Sequence, residues 1–353
     1  MEFNDLTIIS HGMGTDTCTI MELFLLDSKK AGKPMHKKYI KGEVLVIFSD
    51  LRVEYPETYK WIKRQEEICK KLGWTFIRLT PEMGYHPNLV HSTVMAKSIR
   101  DWWYNSFAIA SVAGGQQKKI CTFRWKISPI WDFVSAMLDQ AYFEESYNHA
   151  SNRKRAITEY GKQSKKKINL IIGFTKGEEK RIDAAKKKEK EDSKNKNAYE
   201  AYIKRFFPLK DKGMTRQDCI DFFRETLKKE PPRPSNCMYC HYQSEAEVLH
   251  LSRKYPKIFA DWKKLEKRKI KDTLEKGKDP EKNYGVKGKY TMTKFLEKAK
   301  NKKLKDNDII ILSRKFPKWE KYIGSDVEFV LDDLNDKELY ELVLIHGCAT
   351  NVM

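Results

Sequence analysis

The stretch Leu6-Thr7-Ile8-Ile9-Ser10-His11-Gly12-Met13-Gly14-Thr15-Asp16-Thr17 decides how this chain is read. Its first five residues form a short apolar run of strand type. Two glycines follow, and from Cys18 to Leu26 the apolar period changes: Ile20, Leu23 and Phe24 share one face at i, i+3 and i+4. The pattern is a strand, a glycine loop and a helix. Small residues in such a loop let backbone N–H groups close around phosphate oxygens, and the start of the helix adds a field that favours negative charge. Thr15 and Thr17 bring hydroxyls, and Thr17 is also placed to cap the helix. Asp16 is out of character beside a phosphate unless it holds Mg²⁺ or orders the loop's own amides. No Gly-Lys-Ser/Thr follows, so this is not a Walker loop, and it is not the six-residue dinucleotide fingerprint either. A simple strand-to-helix turn capped by Thr17 is the competing reading.

Outward from the loop, residues 44–49 (VLVIFS) are almost wholly apolar, as in a strand buried on both faces. A helix is predicted from about Pro56 to Leu72, with Gly73 as its stop signal, and residues 74–79 (WTFIRL) are a third strand. Alternation of strand and helix is the signature of a doubly wound, mainly parallel α/β sheet. Residues 131–143 read as a further helix, and residues 168–174 (INLIIGF) as a fourth strand ending near Gly173. The lysine-dense residues 184–197 are a solvated helix or loose insertion, or else a nucleic-acid arm. Thr215 is placed to cap a helix that turns Cys219, Phe222 and Phe223 inward. Pro231, Pro232 and Pro234 make a stiff connector to Cys237 and Cys240, and a helix is predicted over residues 244–254. Residues 309–312, 329–331 and 342–345 are short strands or helical pieces. The organisation expected is a nucleotide-binding α/β domain over 1–182, a lysine-rich insertion or linker over 183–205, a CxxC-containing helical part over 206–270, and a basic appendix over 271–353.

The chain has 353 residues, with 69 Lys and Arg against 49 Asp and Glu, a net charge of +20. Such an excess favours polyanionic partners: nucleotides, nucleic acid or acidic surfaces. With 40% of residues hydrophobic, there is apolar mass for a sizeable core, which excludes wholesale disorder. No run of about 18 apolar residues occurs, so no membrane helix is expected. The acidic start Met1-Glu2-Phe3-Asn4-Asp5 lacks the features of a secretion signal, and a cytoplasmic location is expected. Seven cysteines in a reducing compartment are buried thiols, metal or cluster ligands, or reactive groups. The spacing Cys237-x-x-Cys240 lets two thiolates reach one metal from a tight turn.

The loop resembles the PP-loop of the adenine-nucleotide α-hydrolase superfamily, whose pattern is Ser-Gly-Gly-x-Asp-Ser. Gly12, Gly14, Asp16 and Thr17 stand in register with it; Gly12 replaces the first serine, Met13 a glycine and Thr17 the last serine. Further stretches are similar, in order, to one branch, the phosphoadenosine phosphosulfate (PAPS) reductase family. They are Phe48-Ser49-Asp50 with Glu57-Thr58, then Cys121 through Lys126-Ile127-Ser128-Pro129, then Gly173 with Glu178 and Arg181. Met214-Thr215-Arg216-Gln217-Asp218-Cys219 and Asn236-Cys237-Met238-Tyr239-Cys240 complete the set. The resemblance spans roughly residues 6–265. It implies a Rossmann-like sheet whose loop, Ser10 and Gly12 to Thr17, cradles the phosphates of ATP or a PAPS-like adenosine nucleotide with Mg²⁺. Chemistry then falls at the α-phosphate or at the sulfate carried on it. On this reading Asp16, Lys126 and Arg181 are the catalytic candidates, the two cations neutralising developing charge. Asp50, Gly173 and Glu178 line the nucleotide site; Asp50 is alternatively a helix cap, and Glu178 either binds Mg²⁺ or pairs with Arg181. Arg124 reaches the same pocket or faces solvent, and His11 touches phosphate or serves structure.

Cys121, Cys237 and Cys240 resemble the ligand set of iron–sulfur tRNA thiolation enzymes in the same superfamily. A zinc site that adds His241, or plain thiols with no metal, are the alternatives. Cys348, behind His346, is set differently from the C-terminal nucleophile of PAPS reductases. The function expected is sulfur transfer or adenylation of an acceptor, with nucleic acid as one acceptor and a homodimer as one assembly. Its competitors are a thioredoxin-dependent PAPS reductase and a non-catalytic nucleotide- or DNA-binding module.

Overall fold

The computed structural model describes residues 2–30, 32, 34–86, 122–143, 154–240, 242–275, 277 and 290–346. Five strands form one sheet: β1 (Leu6–Ser10), β2 (Glu43–Ser49), β3 (Thr75–Leu79), β4 (Ile168–Ile171) and β5 (Ile203–Phe206). Their order is β3-β2-β1-β4-β5 and every pairing is parallel. Side chains alternate across a strand, and β1 is buried on both sides. Leu6 and Ile8 join Ile130, Trp131, Val134, Ile157 and Tyr160 on one face, while Ile9 joins Ile20, Phe24 and Ile68 on the other. Helices α1 (Thr15–Ser28) and α2 (Pro56–Leu72) thus cover one face, and α3 (Ser128–Tyr142) and α4 (Arg155–Ser164) the opposite one. The α/β class expected from the sequence is present as a five-stranded, all-parallel sheet with helices on both faces.

Local chemistry sets the ends of these helices. Pro56 opens α2, where its missing N–H costs nothing, and Gly73 closes it at φ 70°. At that left-handed position the amide of Trp74 reaches back to the Cys69 carbonyl at 2.8 Å. α1 begins at Thr15, so Gly14 is the N-cap and Thr17 lies inside the first turn instead of capping it. β4 stops at Ile171, three residues before the end expected from its apolar run.

Residues 183–205, expected as insertion or linker, belong to the sheet's own wiring. Helix α5 (Glu179–Asp192) and then β5 complete a crossover, with Ile168 of β4 in register with Ile203. β5 is an edge strand, and the exposed Lys204 gives it the charge that edge strands carry against association. The boundary expected at 270/271 does not separate two cores either. Helices α6 (Arg216–Asp221), α7 (Glu245–Lys254), α8 (Pro256–Glu275), α9 (Met292–Lys300), α10 (Asp306–Ser313) and α11 (Asp336–His346) follow the sheet. Ala246 and Leu249 of α7 share one cluster with Ala299, Ile309, Leu312, Trp319, Leu339 and Leu342. Residues 309–312 and 342–345 are therefore helical, and Val330 makes only an isolated bridge to Lys303. No helix among the described residues is long and apolar enough to cross a membrane.

Candidate functional site

The loop leaves β1 at the centre of the sheet, between β2 and β4, where the chain's crossovers part to the two sides. In open parallel sheets the crevice beyond the strands' carboxyl ends at such a point is where ligands bind. His11 prolongs the ladder, its N–H donating to Ile47 O at 2.9 Å. Its imidazole is buried between two partners: Nδ1 accepts the Met13 N–H at 2.9 Å, and Nε2 faces Gln65 Oε1 at 3.2 Å. Because Nδ1 accepts, the ring proton sits on Nε2. Burial pulls the His11 pKa down to about 4, with the Gln65 bond opposing, so the ring is neutral at pH 7. Both nitrogens are committed, so His11 shapes the loop instead of offering a free donor to phosphate. That bond holds Met13 at φ 55°, a left-handed position that non-glycine residues avoid, with its side chain buried against Phe48 and Ile62. Gly14 then caps α1 at φ −91°, ψ 172°, without a side-chain acceptor. The amides of Thr15, Asp16 and Thr17 in the first turn of α1 have no carbonyl partner within the helix.

Pro232 to Ser235 of the connector lie over this loop. Thr15 Oγ1 donates to Pro232 O at 2.6 Å, so that hydroxyl is already engaged. A Cβ on Gly14 would lie 2.6 Å from the Ser235 backbone nitrogen, and one on Gly12 would lie 2.9 Å from the Ser235 Cβ. The two glycines are thus required by the close approach of the connector. At Gly173 a Cβ would meet Thr17 Cγ2 at 2.8 Å, which seats the β4 exit against the first turn of α1. Ser10, half-buried, ends β1 just below.

Two opposite-charge pairs flank the loop. Arg216 Nη2 meets Asp16 Oδ2 at 2.7 Å, and Asp16 Oδ1 is buried with no hydrogen-bond partner. Burial raises the Asp16 pKa; Arg216 opposes this and the nearby Glu178 adds to it. Arg216 owes its place to α6, whose N-cap Thr215 and Asp218 form a reciprocal capping box. Glu178 takes Thr175 N at 2.9 Å and Thr175 Oγ1 at 3.1 Å, and pairs with Arg181. The Arg181 guanidinium also lies 4.2 Å from the centre of the Phe174 ring.

The remaining candidates lie elsewhere. Asp50 is fully buried, and its carboxylate is filled by Arg78 at 2.6 and 2.8 Å, by Tyr59 OH at 3.0 Å and by the Arg52 N–H at 2.7 Å. It ties β2 to β3 and caps no helix, since Tyr55 precedes α2. Lys126 faces the buried Glu54 at 3.5 Å, not the Asp16 cluster. Burial raises the Glu54 pKa, partly offset by Lys126. Glu54 and Cys237 form an antiparallel bridge, and the Met238 N–H reaches Val53 O at 2.9 Å. A turn closes Cys240 N onto Cys237 O at 3.1 Å, and both cysteines pack in the apolar cluster that holds Tyr55. These two sulfurs supply half of a tetrahedral thiolate set. Cys121, His241, Cys348 and the Arg124 side chain fall outside the described residues, and among those described no group of three or more ligand-type residues gathers. Cys18, Cys69 and Cys219 are core thiols, each raised in pKa by burial. His346 is engaged with Asp308 at 2.8 Å.

Sequence reasoning missed Arg216 and the connector residues Pro232 and Ser235. Thr215-x-x-Asp218 is a legible capping signal, and it was the available clue to where Arg216 starts its helix. Comparison with family models, curated proteins and solved structures gave no match.

Proposed function

We propose that this chain is a PAPS reductase-like PP-loop enzyme with a Rossmann-like sheet. It binds ATP or a related adenosine nucleotide with Mg²⁺ and acts at the α-phosphate or the sulfate attached to it, for sulfur transfer or adenylation of an acceptor. One observation carries the reading. The start of α1, which no side chain caps, lies against the exit of β4 at Gly173, with the Asp16–Arg216 and Glu178–Arg181 pairs beside it. Helix-start amides favour phosphate oxygens, and two guanidiniums fixed by carboxylates need little reorganisation when charge builds on a transferring group. Asp16 Oδ1, buried and unpartnered, is the oxygen free to meet Mg²⁺. Arg216 replaces Lys126 as the second cation in this account. Cys237 and Cys240 are the residues that would hold an iron–sulfur centre or zinc, which would supply sulfur chemistry or a structural tie respectively.

Calorimetric titration of ATP and PAPS, paired with assays for pyrophosphate and sulfite release, tests the proposal. Binding of one nucleotide with micromolar affinity is expected, weakened at least tenfold, or about 1.4 kcal/mol, by Asp16→Ala and by Arg216→Ala. Affinity no better than about 1 mM for either nucleotide would end the enzyme reading. Tight binding without any product would favour a nucleotide-sensing module.

A further inference from the structure

The crossover helix α5 is built unlike the other helices that flank the sheet. Of its fourteen residues only Ile182 is buried. Two of its acids turn toward β5: the Arg205 N–H donates to Glu189 at 2.9 Å, and the Arg205 guanidinium lies 3.9 Å from Glu189 and 3.7 Å from Asp192. The acids at its start are engaged as well, Glu178 with Arg181 and Glu179 with the Gly177 N–H. Lys180, Lys187 and Lys190 follow i, i+7 and i+10 spacing, so they share one side of the helix. All three are exposed, and none makes an ion pair among the described residues. Asp183 and Glu191, both exposed, are the acids on this side of the helix, against Lys180, Lys187 and Lys190. Lys186 flanks the row, and Lys194 and Lys196 extend the exposed charge past the helix end.

Position matters as much as charge. The N-cap of the helix is Glu178, whose field reaches Asp16 in the loop. The row from Lys180 to Lys190 spans about 15 Å at ~1.5 Å per residue. That length matches about four phosphates along one strand at ~3.4 Å each. We propose that this side of α5 is the docking flank for the phosphate backbone of a nucleic acid that leads toward the glycine loop. The inference rests on the proposed function for what the docked strand would be for, since it names the acceptor class as nucleic acid. The physical contact stands or falls separately. Lysines without carboxylate partners release counterions when they meet a polyanion, so the contact gives affinity without sequence preference.

Fluorescence anisotropy with 20-nucleotide single-stranded RNA, single-stranded DNA and duplex DNA, over a salt series, tests the contact. The variant Lys180→Gln/Lys187→Gln/Lys190→Gln is compared with a charge-matched control on α8, Lys263→Gln/Lys264→Gln/Lys267→Gln. Expected is a loss of about 10- to 100-fold in affinity for the α5 variant at 0.1 M salt. The slope of log K against log salt should shrink by about 2 to 3, roughly 0.7 to 0.9 per lost phosphate contact. The three probes separate RNA from DNA as the source of the backbone. Equal losses in both variants, no loss in either, or stronger binding of the α5 row to phosphatidylserine vesicles than to any nucleic acid would overturn it. ATP titration of the same variants separates the two proposals: a docking flank that holds while wild-type protein binds no nucleotide leaves the contact standing and removes the enzyme.

Discussion

Gly14 and Gly12 show how one contact can demand the same residue for different reasons. At Gly14 an added Cβ meets the Ser235 backbone nitrogen, which cannot rotate away; at Gly12 it meets only the Ser235 side chain. Gly14→Ala is therefore expected to destabilise by about 1–3 kcal/mol, in the range of overpacking, and Gly12→Ala by less. Removing the Ser235 side chain should rescue one and not the other: Ser235→Gly restores Gly12→Ala but leaves Gly14→Ala impaired. Urea denaturation of the double-mutant cycle reads this directly, and rescue of both would mean that the Ser235 backbone does not press on Gly14. His11 gives a second expectation. Its folded pKa of about 4 lies below an ordinary histidine, so the unfolded chain takes up the proton first. Stability contributed by the neutral ring is complete above about pH 6.5 and drains as pH falls toward 4, by up to about 3 kcal/mol. The stability gap between wild type and His11→Asn should narrow over that interval; a gap that stays constant from pH 7 to 4 would contradict a buried neutral ring.

Strands β1 and β2 were legible because burial on both faces leaves continuous apolar runs, and α2 because proline and glycine mark its ends. β5 was hidden by its own position. An edge strand of four residues that carries Lys204 and Arg205 looks like loop: Lys204 is solvated, and Arg205 finds its partners Glu189 and Asp192 only in the fold. The lysine-dense stretch was legible as a solvated helix, but with Ile182 alone buried nothing in it announced a crossover of the sheet. In the site, the glycine loop was legible and its partners were not. Arg216 meets Asp16 across a separation of 200 residues, which no local pattern announces. Deleting residues 183–205 discriminates linker from sheet. A linker would tolerate loss, whereas removal of β5 bares the β4 edge and uncovers Ile168 and Leu170. The deletion chain is expected to lose its cooperative thermal transition; a wild-type melting profile would show that β5 does not complete the fold.

The sheet and the helical C-terminal part are joined by shared apolar clusters and by one polar seam. Leu51, Val53 and Tyr55, which follow β2, pack with Tyr239, Val248, Trp262 and Phe295. At the edge of that contact, Glu57 in the first turn of α2 receives Lys254 and Tyr255 from the end of α7. Burial alone would raise the Glu57 pKa, but the Lys254 and Tyr255 hydrogen bonds outweigh it and hold the carboxyl at about 2. Because the folded value lies below the ordinary one, the native state binds fewer protons in acid than the unfolded chain does. The stabilisation is whole above about pH 4.5 and disappears as pH drops through about 2. Lys254 is 46% exposed, so solvent screening trims the contribution to about 1–2 kcal/mol. Glu57→Gln should lower stability by that amount at pH 7 and by little at pH 2, read by chemical denaturation at each pH. Loss of the same size at both values would place the stabilisation in packing of the side chain, and the join between sheet and helices would then rest on its apolar clusters alone.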